Sequence, residues 1–193
     1  MNVYDFDGTI YTRDSSVDFF KFELKRHPFI IRRLPIFCIK AVKYKFGKCS
    51  IEELKSCFFS FLQDISDIQS EISLFWSSHM KYIAEWYMNQ RQETDIVISA
   101  SPYFLLELPC ENLGIHKLIA SDVDIQSGNF LSANCKEKEK VRRFKELFPM
   151  DKIDKFYSDS ISDSPMAEQA SEAFLITKGC ITNWNRKKGK ING

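Results

Sequence analysis

The chain has 193 residues, 44% hydrophobic and 27% charged, which suits one soluble globular domain or one domain carrying a large insertion. Net charge is only +1, but nine Lys/Arg and a single acid fall between Lys21 and Lys48, so a local +8 faces −7 elsewhere. Six scattered cysteines form no C-x-x-C pair, which argues against a sulfur-ligated zinc site and suits thiols in a reducing compartment. Asp5 stands where a secretory leader needs its charged and apolar regions. The apolar stretch Phe29 to Phe46 is interrupted by Arg32, Arg33, Lys40, Lys43 and Lys45, too many charges for a membrane span. A cytoplasmic protein is expected.

The first predicted strand, Asn2–Phe6, runs into Asp5-Phe6-Asp7-Gly8-Thr9. Residues two apart on a strand point the same way, so Asp5 and Asp7 are crowded together where the strand ends. Like charges at that range cost free energy unless a cation or proton relieves them. Gly8 permits a sharp turn and close approach to a ligand. The arrangement suggests a hard-cation site with one carboxylate free for chemistry.

From Ser15 to Asn89 no strand is evident and helical periodicity takes over. Ile30, Leu34, Phe37 and Ala41, with Ile31, Cys38 and Val42, recur at one-face helical spacing. Ser50-Ile51-Glu52-Glu53 predicts an N-cap for a helix running to about Leu62, and a third helix is expected over roughly 67–89. Beyond it, strands are predicted at Asp95–Ser99, Lys117–Ser121, Lys155–Ser158 and Ala173–Thr177. Helices are predicted at Tyr103–Leu108, Lys138–Phe148 and Ser164–Ser171. Ser127-Gly128-Asn129 suggests a small hairpin edging the sheet. Strands alternating with helices predict an α/β fold: a doubly wound, mostly parallel (Rossmann-like) sheet with an inserted helical cap. The expected division is a catalytic core of residues 1–14 and 90–193 with the cap at 15–89.

In such sheets ligands sit beyond the carboxyl ends of the strands, where Asp5, Ser99 and Asp159 all fall. Four segments there complement one another. Asp5-x-Asp7-Gly8-Thr9 supplies carboxylates. Ile96-Val97-Ile98-Ser99-Ala100-Ser101 supplies a hydroxyl and backbone amides ahead of Pro102. Lys140, near a helix start, supplies a cation. Tyr157-Ser158-Asp159-Ser160-Ile161-Ser162-Asp163 supplies two acids four residues apart. Together they suit a divalent cation and a phosphate, since Mg²⁺ takes few carboxylates and shares substrate phosphate oxygens.

These four segments, in this order and spacing, resemble the four motifs of the haloacid dehalogenase superfamily. The helical insertion after the first resembles its phosphoserine-phosphatase-like branch. The basic, aromatic-rich cap and the Tyr157-Ser158-Asp159-Ser160 turn are similar to phosphatidylglycerophosphatase C-type proteins. The resemblance covers Asn2 to about Thr177.

It implies Asp5 as the nucleophile that forms an aspartyl-phosphate, and Asp7 as the acid and then the base. Mg²⁺ would be held by Asp5, the main-chain carbonyl of Asp7, and Asp159, with Asp163 a further ligand or support. Phosphate oxygens would be held by Ser99 and Lys140, aided by the amides of Gly8 and Ala100. Asp14 aligns with a substrate-contacting position. The chain departs from the family in carrying Ser158 before Asp159, Ala100-Ser101 after Ser99, and Glu137 before Lys140. Lys136 and Lys138 are rivals for the place of Lys140.

Each motif taken alone has a plain structural explanation: a solvated turn, a helix cap, an exposed lysine. His27, His79 and His116 show no ligand spacing, and no G-x-S-x-G elbow supports a serine hydrolase. The cap's phenylalanines are read as packing. Its one-sided charge suits either steering of an anionic substrate or peripheral contact of segment 21–48 with an anionic membrane. The expected activity is Mg²⁺-dependent hydrolysis of a small phosphorylated metabolite or a lipid head-group phosphate. Transfer to another alcohol, or a non-catalytic module binding an anionic surface, is the alternative; no nucleic acid partner is expected.

Overall fold

The computed structural model describes residues 1–184, so residues 185–193 of the expected core lie outside the described residues. Six strands form one sheet: β1 (Asn2–Tyr4), β2 (Ile96–Pro102), β3 (Lys117–Ser121), β4 (Ile153–Ser158), β5 (Ala170–Thr177) and β6 (Cys180–Asn183). Their order is β3-β2-β1-β4-β5-β6, parallel throughout except for β6, which pairs antiparallel with β5. The order reverses at β1, so the carboxyl end of β1 is a topological switch point and opens a crevice there.

Strand alternation divides the core in two. Tyr4, Val97, Tyr157 and Ile176 face one side, while Val3, Ile96, Ile98, Phe156 and Leu175 face the other. In-register pairing stacks the rings of Tyr4 and Tyr157 at 4.8 Å and those of Tyr157 and Phe174 at 4.9 Å across three neighbouring strands. The second face is covered by α7 (Lys138–Leu147) and α8 (Ser164–Ala167).

The first face is covered by α6 (Tyr103–Asn112) and by the helices between β1 and β2. These are α1 (Ser15–Arg26), α2 (Leu34–Lys45), α3 (Ile51–Phe59), α4 (Ile68–His79) and α5 (Glu85–Met88), joined in part by 3₁₀ turns. Their starts are written in the sequence. Asp14 caps α1 by accepting from the Val17 amide, Ser50 and Glu53 form a capping box on α3, and Asp67 caps α4. Phe19, Phe61, Phe75 and Trp76 join Phe6 and Leu105 in one continuous buried cluster, so the helical insertion shares its core with the sheet. Pro109 sits inside α6 and has no N–H to offer the Leu105 carbonyl; the Trp76 indole donates to that carbonyl instead, at 2.7 Å.

Several expected boundaries shift. The face expected over 30–42 splits, because Pro28 opens a 3₁₀ turn and α2 starts only at Leu34. Leu34, Phe37 and Ala41 are half-buried there, while Ile31, Cys38 and Val42 are exposed. The helix expected over 67–89 breaks at Met80, and Ile83 instead bridges Tyr11. The expected Ser164–Ser171 helix is one turn long, since β5 already begins at Ala170. The turn at Gly128 makes only an isolated Val123–Phe130 bridge and does not edge the sheet. A Cβ there would meet the Phe59 carbonyl, so the turn is pressed onto the end of α3.

Candidate active site

The crevice at the end of β1 is a cavity of about 620 Å³, within the range of small-ligand sites. Asp5, Asp7, Gly8, Asp14, Ser99, Ala100, Lys140, Asp159 and Asp163, all nine residues singled out from the sequence, line it. They arrive from β1 and its following loop, the end of β2, the first turn of α7, and the turn after β4.

The centre of the cluster is Lys140, buried to 1% exposure. Its Nζ donates to Asp5 Oδ1 at 2.7 Å and to Asp163 Oδ2 at 2.8 Å. Burial by itself disfavours the ammonium, but the two carboxylates outweigh it and hold Lys140 charged. Ser158 Oγ donates to the same Asp163 oxygen at 2.8 Å, giving the residue that stands in place of the family's glycine a positioning contact. Asp5 is pushed up by burial and pulled back by Lys140, with Asp163 raising it again. Burial and the neighbouring Asp163 raise Asp159 as well. Lys136 also lines the cavity, but the bonds to Asp5 and Asp163 are made by Lys140.

Asp7 has different partners. The Ser15 amide donates to its Oδ1 at 2.7 Å, and the Ser101 hydroxyl makes a short bond to its Oδ2. Burial, reinforced by the Asp14 charge, raises Asp7 to about 6 despite those hydrogen bonds. Burial thus raises both carboxylates, and what differs between them is their partners: an ammonium at Asp5, an amide and a hydroxyl at Asp7.

Gly8 has φ +69°, and a Cβ there would fall on the Asp159 carboxylate. Its amide donates to the Arg13 carbonyl at 2.9 Å, so that hydrogen is engaged within the loop. This departs from the expected role of the Gly8 amide toward phosphate, and what the glycine contributes is space beside Asp159. Ser99 Oγ accepts from the Ser101 amide at 3.1 Å, two residues further along β2. Asp14 lines the cavity while its Oδ1 caps α1.

Two contributors escaped the sequence reading. Ser101, noted only as a departure from glycine, binds Asp7. Lys55 enters from α3, donating to the Ala100 carbonyl at 2.9 Å and Asn134 Oδ1 at 2.8 Å. Burial lowers Lys55 to about 8, with Asp7 and Asp14 pulling the other way. A lysine set among Ile51, Leu54 and Phe58 on the α3 stripe was the available signal.

The donor set fits a hard dication. Asp5, Asp159 and Asp163 offer oxygen ligands only, and the missing Cβ of Gly8 leaves room at the Asp159 carboxylate.

The haloacid dehalogenase-like hydrolase family matches residues 3–168, and the chain belongs to that family. No curated protein matches it. A protein of unknown function from Bordetella pertussis Tohama I shares the fold at TM-score 0.76 and 17% identity, over 100% of this chain and 95% of that one. A phospho-aspartyl intermediate analogue of phosphoserine phosphatase aligns at TM-score 0.55 and 14% identity, over 89% and 83% of the two chains. A phosphoserine phosphohydrolase-like protein from Francisella tularensis subsp. tularensis SCHU S4 aligns at TM-score 0.56 and 13% identity, over 90% and 86%. The chain is a hydrolase of this family, with an α/β, phosphoserine-phosphatase-like fold.

Proposed function

We propose that this hydrolase cleaves phosphomonoesters with Mg²⁺, through an aspartyl-phosphate on Asp5. The different partners of Asp5 and Asp7 carry this reading: one carboxylate is bonded to Lys140, the other to Ser15 and Ser101. Asp5 attacks phosphorus and the ester P–O bond breaks. The departing alcohol oxygen takes the proton of Asp7. Asp7, now a carboxylate, takes a proton from water as that water attacks phosphorus. Asp5 and inorganic phosphate are released. Ser99, the Ala100 amide and Lys140 hold the phosphate oxygens, and Lys140 also relieves repulsion among the acids. Asp5, the Asp7 carbonyl and Asp159 would hold Mg²⁺, backed by Asp163; when bound it neutralises charge on the phosphoryl group. With p-nitrophenyl phosphate and Mg²⁺, the wild type releases phosphate, while Asp5→Asn releases none above background. Retained activity in that variant contradicts the reading.

The substrate reading rests on the outer cavity. Val17, Phe37, Leu54 and Phe58 form an apolar wall, with Lys55 and Lys136 beside the phosphate end. An ester with an apolar or lipid portion fits that wall better than a fully polar one. We propose in addition that the cap meets an anionic membrane surface from the cytoplasm. α2 buries no residue, and its Ile36, Ile39 and Val42, with the following Phe46, are 56–71% exposed beside Lys40, Lys43 and Lys45. Among the described residues no helix is long and apolar enough to cross a membrane, so contact of this kind would be peripheral. Co-sedimentation with anionic vesicles, reduced by Ile39→Glu and absent with neutral vesicles, supports it. Equal recovery with both vesicle types overturns it.

A further inference from the structure

A second cluster of ionisable groups lies in the helical insertion, away from the cavity. Glu23 in the last turn of α1 and His27 at its end are four residues apart, hence on one side of the helix, and Glu71 faces them from the first turn of α4. Glu23 is wholly buried, and among the described residues neither of its carboxylate oxygens nor His27 Nε2 has a hydrogen-bond partner. Buried polar atoms of that kind are costly, and here three of them point into one small space.

The spacing is close to that of a coordination shell. His27 Nε2 lies 3.6 Å from Glu23 Oε2 and 3.5 Å from Glu71 Oε1, and one ligand atom from each residue falls within 4.8 Å of the others. Two ligands about 2.1 Å from one tetrahedral ion stand roughly 3.4 Å apart, so small side-chain adjustments would suffice. Arg26 forks onto both oxygens of Glu71 and fixes its plane, as groups behind a ligating carboxylate do. A mixed imidazole and carboxylate set suits a borderline first-row dication better than Mg²⁺, which prefers oxygen alone.

We infer that Glu23, His27 and Glu71 form a structural site for a Zn²⁺-type dication that clamps the end of α1 to the start of α4. The ion replaces the missing partners of Glu23 and His27 and leaves a fourth position for water or the second Glu23 oxygen. It takes no part in the reaction at Asp5. The competing occupant is a proton on Glu23 or His27, which would satisfy the cluster without metal.

The test is a Zn²⁺ titration of the full-length protein, freed of metal and then held in excess Mg²⁺ to cover the catalytic acids. Wild type and Asp5→Asn are expected to bind one Zn²⁺ alike and to melt at higher temperature with it. Glu23→Gln and His27→Gln each weaken binding at least tenfold and lose the shift in melting. The chain has three histidines, so ring NMR gives a readout on the wild type that needs no variant: Zn²⁺ moves the His27 signals. The site is overturned by absence of Zn²⁺ binding, by undiminished binding in both variants, or by shifts confined to His79 or His116.

Discussion

Lys140 Nζ lies 2.7 Å from Asp5 Oδ1 and donates a second hydrogen bond to Asp163 Oδ2 at 2.8 Å, so one buried cation holds together acids from two distant parts of the chain. Removing one partner of such a pair leaves an uncompensated buried charge and costs about 3–5 kcal/mol. Lys140→Met is therefore expected to lower stability in denaturant titration. It should also reduce kcat by about 10²–10³-fold, the typical cost of one lost oxyanion donor. Arginine carries the charge but not the shape of the ammonium, and Lys140→Arg should recover little activity.

Asp7 links pH, rate and stability. Its protonated form serves the first step and its carboxylate the second, so with a pKa near 6 the phosphorylation rate falls above pH 6 and the water step falls below it. The stability effect has the opposite sign to that of a salt-bridged acid. Because burial raises the folded-state pKa from 3.8 to about 6, the folded protein holds the proton more tightly, and stability is lost as pH rises through that interval. Asp7→Asn keeps an oxygen for the Ser15 amide. In EDTA at pH 8 it should be more stable than wild type by up to about 3 kcal/mol, at 1.36 kcal/mol per pKa unit, with the gain vanishing near pH 4. Urea titrations at the two pH values measure this, while phosphate release by the variant falls to background.

Gly8 meets two constraints at once, a positive φ and a carboxylate where its side chain would be. Gly8→Ala should displace Asp159 and weaken Mg²⁺ binding at least tenfold by titration calorimetry, with a smaller loss in melting temperature. An alanine variant with unchanged Mg²⁺ affinity would remove Asp159 from the ion's ligands.

The Trp76 indole closes the gap that Pro109 leaves in α6. Trp76→Phe keeps an aromatic ring in the buried cluster but orphans the Leu105 carbonyl, at a cost of about 1–3 kcal/mol. Restoring the helix bond with Pro109→Ala in the same chain should recover part of that loss, and a double-mutant cycle reads the coupling.

Much of this organisation is visible in the sequence because local rules decide it. The strand-end acids, Ser99, Lys140 and the Asp159–Asp163 turn are each fixed by a short segment, and parallel-strand topology brings their ends together. The Ser50 capping box is equally local. What was not legible depends on contacts between distant segments. Ser101 reaches Asp7 across 94 residues, and Lys55 reaches Asn134 across 79. Glu71 meets Glu23 and His27 only once α4 has packed against α1, so no spacing along the chain announces that cluster. The helix expected over 67–89 fails for the same reason, since the bridge from Ile83 to Tyr11 takes over from helical periodicity.

The most direct test is to trap the intermediate on Asp5. Full-length enzyme mixed with a labelled aryl phosphate and Mg²⁺, then quenched in acid, should carry label that hydroxylamine removes and that peptide mapping places at Asp5. The label should accumulate in Asp7→Asn if the water step is the slower one, and it should be absent from Asp5→Asn. Phosphate released at full rate with no label at Asp5, or label retained in Asp5→Asn, would contradict the account.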